Sequence, residues 1–88
     1  MKIVVIYDTA GSTLDQLRAV FPRHKALIDE ASAQGDLIAI GPYGDRSGAL
    51  AVYRTREAAE AFVARDPFVV EGLVGKVTFQ DWNEILLG

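Results

Sequence analysis

The chain is predicted to be an α+β protein in which two helices cover one face of a four-stranded antiparallel sheet, in the order βαββαβ. Three observations predict this. Four short segments (2–7, 36–43, 49–54 and 75–82) are rich in β-branched and aromatic residues or alternate in polarity. Two segments with a helical period and cap signals lie between the first and second of these and between the third and fourth. The middle two strands are joined by only "GDRSG", a hairpin connection.

Lys2–Tyr7, "KIVVIY", reads as a strand buried on both faces, and "DTAGST" follows as a loop. Ser12 or Thr13 can cap the first helix, with Asp15 favourable in its first turn. That helix is expected to run to about Gln34 and stop at Gly35. Its apolar stripe is Leu14, Leu17, Phe21, Ile28 and Ala31, and His24 falls on the stripe, three residues after Phe21 and four before Ile28. Pro22 has no N–H to donate, so it is expected to kink the helix or restart it, which would put His24 near a new N-terminus.

"DLIAIGPY" (36–43) is the second strand, ended by Gly41-Pro42, and "ALAVYR" (49–54) is the third. Thr55 caps a second helix with Glu57 in its first turn and Ala58, Ala59, Phe62 and Val63 facing inward. "RDPFVVEG" is a break holding a single helical turn. In "GKVTFQDW" (75–82), Val77 and Phe79 face one way and Lys76, Thr78, Gln80 and Trp82 the other; the last residues read as a short tail or edge. With right-handed crossovers this order is a ferredoxin-like sandwich whose second sheet face stays open and partly apolar.

Length and composition narrow the function classes. The 88 residues suit one domain, 1–88, with no repeat or linker. A domain this short buries only about 60–65% of the surface of its unfolded chain. Half its residues are apolar, so a second copy is expected to cover the open face as a homodimer. There is no cysteine, which excludes disulfides and thiolate zinc sites and fits a cytoplasmic location. The apolar run after Lys2 is too short to span a bilayer. Net charge is −3, and the nine basic residues are scattered, so neither nucleic acid nor membrane is an expected partner. One histidine, no HExxH and no EF-hand spacing leave no expected metal site. "GPYGDRSG" is neither dinucleotide nor P-loop spacing, and no nucleophile-elbow motif surrounds Ser12, Ser32 or Ser47. No cofactor is expected.

His24 has two readings. It is either a buried neutral ring with one N–H bonded to a carbonyl, or a general acid/base whose ordinary pKa suits proton transfer near neutrality. Asp66 in "RDPF" reads as an N-cap ahead of Pro67 at the first helical position. Its carboxylate has a second possible use, to fix the tautomer of a histidine. Tyr7, Tyr43, Tyr53 and Trp82 are core, interface or pocket residues; Tyr43, just after Pro42, is favoured for a pocket wall.

Taken together, His24 on a Pro-interrupted first helix, "GDLIAIGPY", the glycine-bounded hairpin, "REAAEAFVARDPFVVEGL" and the last strand ending near Trp82 resemble the YCII-related proteins. The likeness spans nearly the whole chain, and Gly41-Pro42, Asp66-Pro67-Phe68 and Gly72 are its most specific parts. It implies a dimeric α+β barrel and a site built on a histidine–aspartate pair, which fall on His24 and Asp66; Tyr7, Pro42, Tyr43 and Phe68 are the candidate substrate contacts around that pair. It also implies cofactor-independent acid/base chemistry (isomerisation, elimination or hydrolysis) on a small cyclic or aromatic compound. The alternative is a dimer that binds or senses a small ligand without chemistry. One departure bears on any anionic-substrate contact: many relatives carry arginine one turn before the histidine, where this chain has Phe21, with Arg23 beside His24 instead.

Overall fold

The computed structural model describes residues 1–8 and 11–85; residues 9–10 of the expected loop and 86–88 of the expected tail lie outside them. The elements are β1 (Lys2–Asp8), α1 (Leu14–Ala33), β2 (Leu37–Pro42), β3 (Gly48–Tyr53), α2 (Arg56–Arg65), α3 (Pro67–Val70) and β4 (Val77–Trp82). The sheet order is β2-β3-β1-β4, and every neighbouring pair is antiparallel. This is the ferredoxin-like arrangement expected from the sequence.

The register divides the sheet cleanly into two faces, because side chains of paired residues lie on the same side. Ile3, Val5 and Tyr7 of β1 pair with Tyr53, Ala51 and Ala49 of β3, and Val5 and Tyr7 pair with Phe79 and Val77 of β4. These residues face the helices. Ile3, Val5, Tyr7, Ala51 and Tyr53 are buried there with Leu27 and Ala31 of α1 and Ala59 and Phe62 of α2. Val4 and Ile6 face the other way, in rows with Val52 and Gln80 and with Leu50 and Thr78.

Two features of α1 differ from expectation. The helix runs unbroken through Pro22, so there is no restart. Thr13 caps it, accepting from the Gln16 N–H while the Gln16 side chain accepts from the Thr13 N–H, and this reciprocal box fixes the N-terminus. Its buried line is Val20, His24, Leu27 and Ala31, which keeps His24 and Ala31 of the expected stripe and replaces the rest. Leu14 and Phe21 stay 41% and 48% exposed, and Leu17 and Ile28 are half-buried. The cause is geometric. The sheet and α2 meet α1 along the 20-24-27-31 edge, and the neighbouring apolar edge hangs over a cleft.

Candidate functional site

His24 lies at the middle of α1 and Asp66 at the junction of α2 and α3, 42 residues apart, and folding brings them into contact. Asp66 is at once the C-cap of α2 and the N-cap of α3, held extended with ψ near 118°. That conformation follows from Pro67, which disfavours helix in the residue before it. The junction turns the carboxylate inward, where it is 1% exposed. A single oxygen, Oδ1, accepts two hydrogen bonds, from the Phe68 N–H at 3.0 Å and from His24 Nδ1 at 2.9 Å. The cap of α3 and the contact to the imidazole thus converge on one atom. The carbonyl partner of the structural reading of His24 is replaced by this carboxylate.

The imidazole sits among three phenylalanines. Phe68 stacks on it at 4.2 Å between ring centroids, Phe62 meets it edge-on at 6.2 Å, and Phe21 lies tilted at 6.1 Å. The α3 turn holds Phe68 in place. Gly72, with φ of 72°, lets the chain close so that the Leu73 N–H donates to the Phe68 carbonyl at 2.8 Å. The Ser12 hydroxyl also bonds the Leu73 carbonyl, and Arg23 pairs with Glu71, tying this turn to the start and to the middle of the histidine's helix.

With Nδ1 taken by Asp66, the second ring nitrogen is left. His24 Nε2 has no hydrogen bond within the described residues, yet none of their buried side-chain polar atoms is unpartnered. Nε2 therefore keeps contact with solvent, on the side where His24 lines a cleft of about 470 Å³. Leu14, Leu17, Phe21 and Ile28 of α1 form one wall. Tyr7, Ile40, Pro42 and Ala49 of the sheet form the floor, and Asp66, Phe68 and Val74 close the end. Apolar walls around a few convergent polar atoms are the usual makeup of a small-molecule site. Among the described residues, no group of three or more His, Asp or Glu side chains is placed to hold a metal ion.

Tyr7, Pro42 and Phe68 thus share one cleft with His24 and Asp66, while Tyr43 does not. It lines a smaller groove of about 310 Å³ with Ile6, Asp8, Ser47 and Lys76. Strand alternation is the reason: Pro42 faces the helix side, and the next residue points away from it. Tyr53 is fully buried, its hydroxyl 3.3 Å from that of Tyr7, and Trp82 lies in an open-face row with Lys2. Burial pushes both phenols above the usual tyrosine range, and the Asp66 charge adds to it. Two charged cleft residues, Arg18 and Arg46, were not read from the sequence. Arg18 was findable, four after Leu14 and three before Phe21 on one helix face. Arg46 reaches the cleft from a turn, and no periodicity marks it.

The YCII-related domain family matches residues 1–83. The chain belongs to the YCII-related family. No curated protein sequence matches it. Among solved structures, this YCII-related chain is similar to 5-chloro-2-hydroxyhydroquinone dehydrochlorinase of Burkholderia phenoliruptrix AC1100, in complex with 2,5-dihydroxybenzoquinone. The match has a TM-score of 0.76 and covers 94% of each chain at 18% identity, which establishes a shared fold. Among the described residues of this YCII-related chain, no helix is long and apolar enough to cross a membrane.

Proposed function

We propose that the protein is a cofactor-independent enzyme in which His24 moves a proton on a small cyclic or aromatic compound, with Asp66 as the residue that orients it. The observation that carries this reading is the direction of the two ring nitrogens. Nδ1 is held by a buried carboxylate, which favours the tautomer with the proton on Nδ1 and leaves Nε2 as a base facing an apolar cleft. The same carboxylate stabilises the imidazolium once Nε2 has taken a proton. Isomerisation, elimination of HX and hydrolysis all begin with such a transfer, and the dehydrochlorinase of the same fold performs one member of this set.

The decisive experiment supplies 5-chloro-2-hydroxyhydroquinone and a panel of small aromatic acids and lactones, and follows chloride release and product by mass spectrometry. His24→Ala is expected to lower turnover by about a hundredfold or more, the usual span of a general acid/base, with an unchanged circular dichroism spectrum. Asp66→Asn keeps a good N-cap but removes the charge, so turnover falls while α3 stays folded. Undiminished activity in His24→Ala sinks the proposal. Ligand-induced thermal stabilisation with no product would leave a binding or sensing module in its place.

The assembly belongs to the same proposal: two copies pair through the open sheet faces and so cover the apolar rows around Ile6 and Val52.

A further inference from the structure

The cleft is apolar in its walls but charged at two of its lining residues, Arg18 from α1 and Arg46 from the β2–β3 turn. Each is placed by its own backbone. Helical spacing sets Arg18 beside Leu14 and Phe21, where its aliphatic stem can follow the apolar wall with the guanidinium in water. Arg46 has φ of 63°, a left-handed conformation uncommon outside glycine. The turn secures it. The Arg46 N–H donates to the Tyr43 carbonyl at 3.0 Å, and Ser47 donates its N–H and its hydroxyl to Asp45 Oδ1 at 3.0 and 2.7 Å.

Net charge is −3 overall, yet the cleft is lined by two guanidinium groups and one carboxylate. That carboxylate is Asp66, buried and already bonded to His24 and the Phe68 N–H. Among the described residues, Arg23, Arg56 and Arg65 pair with carboxylates and Arg54 donates to the Gly35 carbonyl, whereas Arg18 has no such partner. An arginine left unpaired beside an apolar cavity has its donor fork available to a ligand.

We propose that Arg18 and Arg46 read an anionic group and that the ligand is a single aromatic ring bearing a carboxylate. The inference rests on the small-ring reading of the cleft and adds the charged substituent to it. A guanidinium offers a planar fork of N–H donors that matches two carboxylate oxygens, which a neutral substituent cannot match. The ring then occupies the walls formed by Leu17, Phe21 and Ile40, in the same cavity as His24 Nε2.

The test is a titration of the protein with 2-hydroxybenzoate and with its neutral counterpart 2-hydroxybenzamide, at low and high salt, read by the ring signals of His24 in NMR spectra. The acid is expected to bind at least about tenfold tighter than the amide, the margin of a charge-assisted contact, and to lose that margin in high salt. Arg18→Gln and Arg46→Gln should each remove most of the preference, leave affinity for the amide within about twofold, and preserve the circular dichroism spectrum, since both side chains are exposed. Arg18→Lys should restore part of it. Equal binding of acid and amide, or a preference that survives both substitutions, overturns the arginine pair and leaves the acid/base reading intact. If neither ring perturbs His24 up to millimolar concentration, the pair and the small-ring reading fall together.

Discussion

Tyr7 and Tyr53 place two phenol hydroxyls 3.3 Å apart inside the core, within the field of the Asp66 carboxylate. Ionising either one would bury a second negative charge, so burial holds both protons on well past the usual tyrosine range. The consequence for stability has a definite sign. In the unfolded chain tyrosine ionises near pH 10. Above that the native state binds more protons than the unfolded state, so stability that is complete below about pH 10 is lost as pH rises. Urea midpoints measured between pH 8 and 11 should fall for the native protein and fall less for Tyr53→Phe, which removes the group with no exposure at all. Parallel pH slopes for the two proteins would show that the pair does not govern alkaline unfolding. This hydroxyl pair was not legible in the sequence. Tyr53 pairs with Ile3 and Tyr7 with Ala49, four residues along the strand, so their meeting depends on two long side chains leaning together rather than on cross-strand pairing. His24 and Asp66 were legible as residue types suited to the roles proposed for them. Their contact was not, because it depends on α1 packing against the α2–α3 junction.

Among the elements, the strands and caps were the most legible parts, since alternation, Thr13, Thr55 and the Asp66-Pro67 start are local signals. The buried face of α1 was less legible. A helix with apolar residues along two adjacent edges does not itself specify which edge the sheet will cover, and here Leu14, Leu17, Phe21 and Ile28 went to the cleft while Val20 and Leu27 went to the core. Pro22 does not restart the helix, because losing one hydrogen bond to the Arg18 carbonyl does not break a helix of 20 residues anchored at both ends. A tight constraint between strands lies at Gly48, the start of β3, opposite Asp8. A Cβ there would lie 2.2 Å from the Tyr7 carbonyl oxygen and 3.2 Å from the Tyr43 ring. The first of these neighbours is backbone and cannot swing aside. Gly48→Ala is therefore expected to cost about 2 kcal/mol or more by forcing β1 and β3 apart, as overpacking does. It should also shift the NMR signals of Tyr7 at the cleft floor. A urea midpoint within error of the native value would mean that the strands separate more easily than this contact allows.

At the scale of the molecule, helices cover one side of the sheet and leave the other side unlayered. The uncovered side carries Val4, Ile6, Leu50 and Val52 in adjacent rows, with Ile6 37% and Trp82 44% exposed. Val52 is already buried within the chain, so Ile6 and Trp82 are the exposed apolar residues of this face, and their grouping there suits an interaction surface. The partner proposed above is a second copy, related by a two-fold axis so that the assembly would close as a dimer. Sedimentation equilibrium at micromolar concentration should return twice the 9.6 kDa chain mass. Ile6→Lys puts a charge in the middle of the central strand β1 on that face, where burial against a partner would strip it of water without supplying a counter-charge. The variant should shift to monomer, with a dissociation constant raised at least about a hundredfold, while keeping its circular dichroism spectrum. Ile6 is not a cleft residue, so ligand affinity should be retained in the monomer. A native protein that sediments as a single chain would overturn the pairing, and a monomeric variant that lost the ligand would show that the cleft depends on the partner after all.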